Sequence, residues 1–391
     1  MLTLLSNCEL YDPTPRGRAH LLVAGEAIAW VGAARPALPA DLGIDEVDLE
    51  GRRVIPGLID GHVHLTGGGG EAGPHTRVPP VGLSRITAGG VTTAIGVLGT
   101  DDTVRTTAEL VVVARGLIRE GLSVWCHTGG YHVPLTTATG SIRLDMVLID
   151  LVLGVGELAI SDHRSSQPTL EELLRIGADA HVGGLMTGKA GIVHLHVGDG
   201  DAGLALVREA IEQSELPPAV FNPTHVNRKR RLFEEAMALA ERGSTVDVTA
   251  FPVADGEDAW PAEEAVVRYL DAGLPPERIT VSSDGGGCLP VFDEEGRVTA
   301  MDVGSPAALG DTLHTLLRCG QPLERVLPAF TSNPARLLRL EQKGRLAAGT
   351  DADLVVLDRG GAVAEVMARG RWHVRGGKAV VRGTFEQDES P

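Results

Sequence analysis

Cysteine is scarce in this chain: Cys8, Cys126, Cys288 and Cys319 are its four in 391 residues, and no two stand in a CxxC spacing. A disulfide framework is excluded by that count, so a reducing compartment, the cytoplasm, is the expected location. Basic charge is also in deficit. Lys and Arg number 35 against 52 Asp and Glu, a formal net charge of −17. Nucleic acid and anionic membranes demand clustered cations that are missing here, so neither is expected as a partner. Any anionic substrate must be met by a few local arginines. Long apolar runs are absent too: no stretch reaches the roughly 18 residues a membrane span requires. The opening MLTLLSNCELYDP lacks the basic region and apolar length of an export signal.

What is present is apolar mass in alternation. The hydrophobic fraction of 43% is ample for a large core plus a smaller domain. Strand-like runs recur as RVIPGLIDGHVHL, VTTAIGVL, LSVWCHTG, LGVGELAIS, GIVHLHVG, AVFNPTHV, STVDVTAF and RITVSSDG. Between them lie helical patterns such as TAELVVVARGLIREG and RRLFEEAMALAERG. Eight apolar strands alternating with amphipathic helices imply parallel pairing and right-handed crossovers. They predict an α/β fold, a (β/α)8 TIM barrel, over residues 54–344. Residues 1–53 and 345–391 read instead as short strands punctuated by glycine and turns, the pattern of a small β-sandwich built from both termini. The tail FEQDESP is expected to fray.

Barrel enzymes carry their chemistry at the C-terminal ends of the strands. The first strand, expected over Val54 to Leu65, ends in His62 and His64, whose i, i+2 spacing puts both on one face. Such a pair is often only packed or solvent-facing. The other strand ends add weight: the fourth carries Glu157, the fifth His196, the sixth His225 and the eighth Asp284. His194 reads as a core histidine or as support for a ligand. Imidazole and carboxylate suit zinc or a similar divalent ion, and six ligands exceed one tetrahedral site. Two ions bridged by a carboxylate and a hydroxide are the economical reading. GGLMTGKA, residues 183–190, nearly spells a phosphate-binding loop but lacks the magnesium-binding Ser or Thr and precedes a strand, so nucleotide binding is set aside.

The motifs GHVHLTGGGGEAGPHTR, LGTDD, TGGYHVP, AISDHRS, HVGD, PTHVNR, SSDGGG and GTDADLVVLD together resemble the amidohydrolase superfamily, and more narrowly the bacterial isoaspartyl dipeptidases. The likeness runs from the first strand to the C-terminal GTFE. It implies hydrolysis of β-aspartyl dipeptides by a metal-bridging hydroxide, with two zinc ions as cofactor, in a homo-oligomer. His62 and His64 would hold one ion and His196 and His225 the other. Glu157 would bridge them, and Asp284 would contact the first ion and shuttle the proton. Tyr131 would donate to the carbonyl oxygen as it gains charge. Gly67 to Gly70 would turn the backbone tightly over the site and deliver Glu71 to the substrate ammonium. Arg164 and Arg228 would fork onto its two carboxylates, and Thr100 would be a further substrate contact.

Two positions depart from that family. Familiar members carry a carboxylated lysine where this chain has Glu157, which owns a carboxylate already but on a shorter side chain. Lys189, the one nearby lysine, is expected at the bottom of the barrel, out of reach. Cys288 stands where serine is usual, and is expected at the substrate edge as a small polar contact. Two other readings stay open: another amidohydrolase acting on a cyclic amide or an N-acyl amino acid, and a metal-bearing barrel that binds ligand without catalysis. Two carboxylate forks disfavour a neutral cyclic amide, and the retained Asp284 and Tyr131 disfavour the inert barrel.

Overall fold

The helices of the barrel show how local sequence sets each element. Helix Thr107–Glu120 begins at Thr106, whose hydroxyl accepts from the Glu109 backbone N–H at 3.2 Å, a cap worth about 1 kcal/mol. It turns Leu110, Val111, Ala114 and Leu117 inward, one apolar stripe at helical spacing. Gly121, at φ +110, ends it in the left-handed region. Helix Leu170–Thr187 starts on a reciprocal capping box between Thr169 and Glu172.

The computed structural model describes residues 2–292 and 297–387. The strands Leu58–Val63, Val91–Gly96, Ser123–Thr128, Val152–Ile160, Val193–Val197 and Phe221–Thr224 pair in parallel, in that order. Val246–Thr249 and Ile279–Ser282 form a further parallel pair. Side chains and loops close the ring. Between the sixth and seventh strands Asn222 Nδ2 donates to Thr245 O at 2.7 Å and Thr224 Oγ1 to Asp247 Oδ2 at 2.7 Å. Between the eighth and first, His64 N donates to Gly285 O at 2.8 Å and Ser283 N to Asp60 Oδ1 at 3.1 Å. The second and fourth strands are buried at every position, as parallel strands covered on both faces must be.

A second layer joins the two ends of the chain. Leu2–Asp12, Thr14–Ala24 and Ala27–Gly32 form a meander, and Arg53–Pro56 meets Leu354–Leu357 antiparallel, with Val54 opposite Val356. Its core contains Leu5, Leu21, Val23, Ile28, Leu354 and Met367. The fold is therefore a (β/α)8 barrel with a small terminal β-sandwich. Lys343, buried, ties the layers by pairing with Asp353 and with Ser123 Oγ.

Two expectations need correction. The run from Val54 to Leu65 is two strands, because Gly57 leaves one sheet and enters the other: its N–H bonds Asp353 O at 2.9 Å, and a Cβ there would lie 2.0 Å from Thr92 Oγ1. The tail is held at Glu386, whose carboxylate accepts from Ser84 N at 3.1 Å and Ser84 Oγ at 2.8 Å. Residues 388–391 of FEQDESP lie outside the described residues.

Candidate active site

The C-terminal strand ends bring four imidazoles and two carboxylates together. Glu157, 1% exposed, sits at their centre. Its Oε1 is 3.3 Å from His64 Nε2, while its Oε2 is 3.2 Å from His196 Nδ1 and 3.5 Å from both His62 Nε2 and His225 Nε2. Each oxygen thus faces a different set of imidazoles. Asp284 Oδ1 lies 3.1 Å from His64 Nε2 and 3.4 Å from His62 Nε2. Two groups have ligand atoms within 4.8 Å of one another, His62, His64 and Asp284, and His62, Glu157 and His225. His196 stands beside the second group.

These residues fit a divalent cation. His64 Nδ1, Glu157 Oε1 and Asp284 Oδ1 are buried without a hydrogen-bond partner, and buried carboxylate oxygens left so are costly unless a cation answers them. Burial alone would raise the Glu157 carboxyl, but His62, His196 and His225 hold it well below the usual carboxylate range. Burial is likewise outweighed at His64, which the Asp284 and Glu157 carboxylates push up to about 10.

Supporting hydrogen bonds fix which nitrogen each histidine presents. Asn222 Nδ2 donates to Thr245 O, so its Oδ1 accepts from His194 Nδ1 at 2.6 Å. His194 Nε2 must then accept from His62 Nδ1 at 2.8 Å, leaving the His62 Nε2 lone pair for the site. His194 is therefore the support behind a candidate ligand. His225 Nδ1 lies 2.7 Å from Thr249 Oγ1, which turns its Nε2 towards Glu157 in the same way.

Over this cluster opens a cavity of about 280 Å³, lined by His64, Glu71, Thr100, Tyr131, Glu157, Arg164, His196, His225, Arg228, Asp284 and Cys288. Of the residues expected to hold metal or touch substrate, His62 alone does not line it, being wholly buried beneath. The glycine run makes the rim: Gly67 at φ +78 would place a Cβ 1.9 Å from Val78 O, and Gly69 at φ +77 one 2.5 Å from Thr76 O. The loop then delivers Glu71, which accepts from Thr100 Oγ1 at 3.1 Å and Arg164 Nη1 at 3.3 Å and keeps a buried, unpartnered Oε2. Arg228 Nη1 donates to Val197 O at 3.1 Å. Tyr131 OH is 2.8 Å from His196 Nδ1; burial, then the Glu157 charge, lifts its phenol well above the ordinary value, so it stays a donor. Burial and the Glu71 charge push the Cys288 thiol up to about 12, which leaves no thiolate to act as nucleophile near neutrality.

Lys189 is where expected, away from the site, donating to Met146 O at 2.6 Å and Ile149 O at 2.8 Å. The GGLMTGKA segment ends helix Leu170–Thr187 and forms no strand-to-helix loop. Sequence reasoning missed Asp60, Asn222 and Asp162, which bond His62 N, His194 Nδ1 and the Arg164 guanidinium in turn. Asp162 was the most visible, two residues before Arg164 in SDHRS.

Strand ends that converge in this way on imidazole and carboxylate, beneath a polar cavity, define a barrel of the metal-dependent class. The amidohydrolase family model matches residues 53–373, and the chain belongs to that family. Among solved structures it is similar to the beta-aspartyl dipeptidase of Fervidobacterium islandicum AW-1 in complex with beta-Asp-Leu dipeptide, at 42% identity over 97% of each chain and a TM-score of 0.91. A second structure of beta-aspartyl dipeptidase from that organism is 40% identical, covering 97% of this chain and 98% of the other, with a TM-score of 0.88. Among curated relatives, the imidazolonepropionase of Salinispora arenicola is 33% identical over 132 residues, 33% of this chain and 32% of that protein. The match thus spans about a third of the length of that relative. No helix among the described residues is long and apolar enough to cross a membrane.

Proposed function

We propose that the protein hydrolyses β-aspartyl dipeptides with two divalent ions, zinc by ligand chemistry. The observation that carries this reading is a single cavity in which Glu71, Arg164 and Arg228 stand over the Glu157 cluster, in a chain 42% identical to a dipeptidase solved with beta-Asp-Leu. His62, His64 and Asp284 would hold one ion and His196 and His225 the other, with the two oxygens of Glu157 shared between them. His62 also lies within ligand distance of Glu157 and His225, so it stands between the groups. When bound, such ions make water acidic enough to be a nucleophile near neutral pH and polarise a carbonyl.

The chain's own residues supply the rest. Glu71 Oε2, buried and unpartnered, is suited to the substrate ammonium. Arg228 is suited to one of its carboxylates as a planar fork, and Arg164, whose Nε–Nη2 edge is taken by Asp162, offers Nη1 to the other. Together they fix the β-carbonyl at the cluster, where Asp284 accepts the nucleophile's proton and returns it to the departing amine. Tyr131 donates its hydroxyl hydrogen to the carbonyl oxygen as that oxygen gains charge. A cytoplasmic location agrees with four free cysteines, and a homo-oligomer rests on the family resemblance.

The test is turnover of β-Asp-Leu against α-Asp-Leu by the zinc-loaded protein. Moving the scissile carbonyl by one bond forfeits an orientation term of several kcal/mol, about a thousandfold in rate. Equal rates on the two isomers would refute the reading.

A further inference from the structure

Asp162 lies between the two halves of this site and belongs to neither in the reading above. It follows the fourth strand, Val152–Ile160, and is 6% exposed. Both of its oxygens are engaged. Oδ1 accepts from Arg164 N at 2.8 Å and Arg164 Nε at 3.0 Å; Oδ2 accepts from Arg164 Nη2 at 2.7 Å and faces His196 Nε2 at 2.9 Å. The next strand makes room for it, since a Cβ on Gly198 would lie 2.5 Å from Asp162 Cβ.

The geometry has a chemical consequence for each neighbour. A carboxylate oxygen opposite His196 Nε2 selects the tautomer with hydrogen on Nε2, and Nδ1 then presents its lone pair to the space shared by Tyr131 OH, 2.8 Å away, and Glu157 Oε2, 3.2 Å away. Arg164 is held by its Nε–Nη2 edge, which leaves Nη1 pointing at Glu71 and the cavity, 3.3 Å from Glu71 Oε1. We infer that Asp162 is a positioning residue that sets the metal-binding face of His196 and the substrate-binding edge of Arg164 with one carboxylate, coupling the metal centre to the carboxylate fork. The inference rests on the proposed roles of His196 and Arg164.

The experiment measures two quantities in Asp162→Asn, Arg164→Ala and the double variant. The first is zinc affinity by competition with a chromophoric chelator; the second is KM and kcat for β-Asp-Leu at saturating zinc. The isosteric amide keeps the volume but loses the charge and one acceptor. Zinc affinity is expected to fall about tenfold to a hundredfold in Asp162→Asn, as for other carboxylates that orient a ligating histidine. The fall should persist in the Arg164→Ala background. KM should rise in each single variant, with no further rise in the double, because Asp162 acts on substrate through Arg164. Asp162→Ala carries the same expectation with a larger loss of zinc, so the result does not hang on one variant folding. Parental zinc affinity in folded Asp162→Asn, or KM penalties that multiply in the double variant, overturns the inference. A zinc-loaded parent inert towards β-Asp-Leu would instead sink the dipeptidase reading, while the affinity comparison still decides whether Asp162 orients His196.

Discussion

Glu157→Gln isolates the charge at the centre of the site, because the amide has the same shape and would fill the same buried space. Within 3.2 to 3.5 Å of Glu157 stand His62, His64, His196 and His225. Among the described residues no other carboxylate divides its two oxygens among all four. A unit charge about 4 Å from another is worth ~4 kcal/mol at an effective dielectric of ~20. If compensation by the amide dipole and by water halves that, ~2 kcal/mol remains, about a thirtyfold loss in metal affinity. Metal analysis after gel filtration should therefore find bound zinc falling from about two ions per chain towards one. The same reasoning predicts that metal-free parent recovers full activity on zinc in buffer stripped of bicarbonate, since Glu157 brings its own carboxylate and Lys189 is committed to backbone carbonyls elsewhere. Two tightly held ions in Glu157→Gln, or an absolute bicarbonate requirement in the parent, would show that another group makes the bridge.

Two further substitutions separate binding from chemistry. Asp284→Asn should retain much of the metal, since an amide oxygen still coordinates weakly, yet lose turnover because it cannot accept a proton; near-normal kcat would remove Asp284 from proton transfer. Arg228→Ala should lower kcat/KM for β-Asp-Leu by about 1.5 to 3 kcal/mol, the worth of a charge-assisted hydrogen bond from a half-buried side chain, and the same kcat/KM within threefold would leave Arg228 a structural residue.

How much of this was legible in the sequence depended on whether a residue's role lay in its own position or in its neighbours. The candidate ligands were legible because barrel strands deliver their C-terminal ends to one place, so a histidine or carboxylate found there needs no partner to be noticed. The eight barrel strands were legible for a similar reason, since burial on both faces writes itself as an apolar run. The break at Gly57 was not, because Arg53–Pro56 and Leu58–Val63 are both apolar and extended, and what parts them is the long-range bond from Gly57 N to Asp353 O. Supports were hidden on the same grounds: Asn222 matters only because Thr245 O orients its amide and His194 then turns towards His62. The contact between Glu71 and Arg164 carries this furthest. Read singly, each was matched to an opposite charge on the substrate, yet in the fold they lie 3.3 Å apart and partly satisfy one another. On the proposed function, a ligand entering between them would exchange that contact for two, an ammonium on Glu71 and a carboxylate on Arg164. A ligand bearing only one of those charges would leave the other residue with fewer partners, Arg164 with Asp162 or Glu71 with Thr100. On the proposed function that exchange would favour a zwitterionic substrate end, a preference that comes from the pair and not from either residue alone.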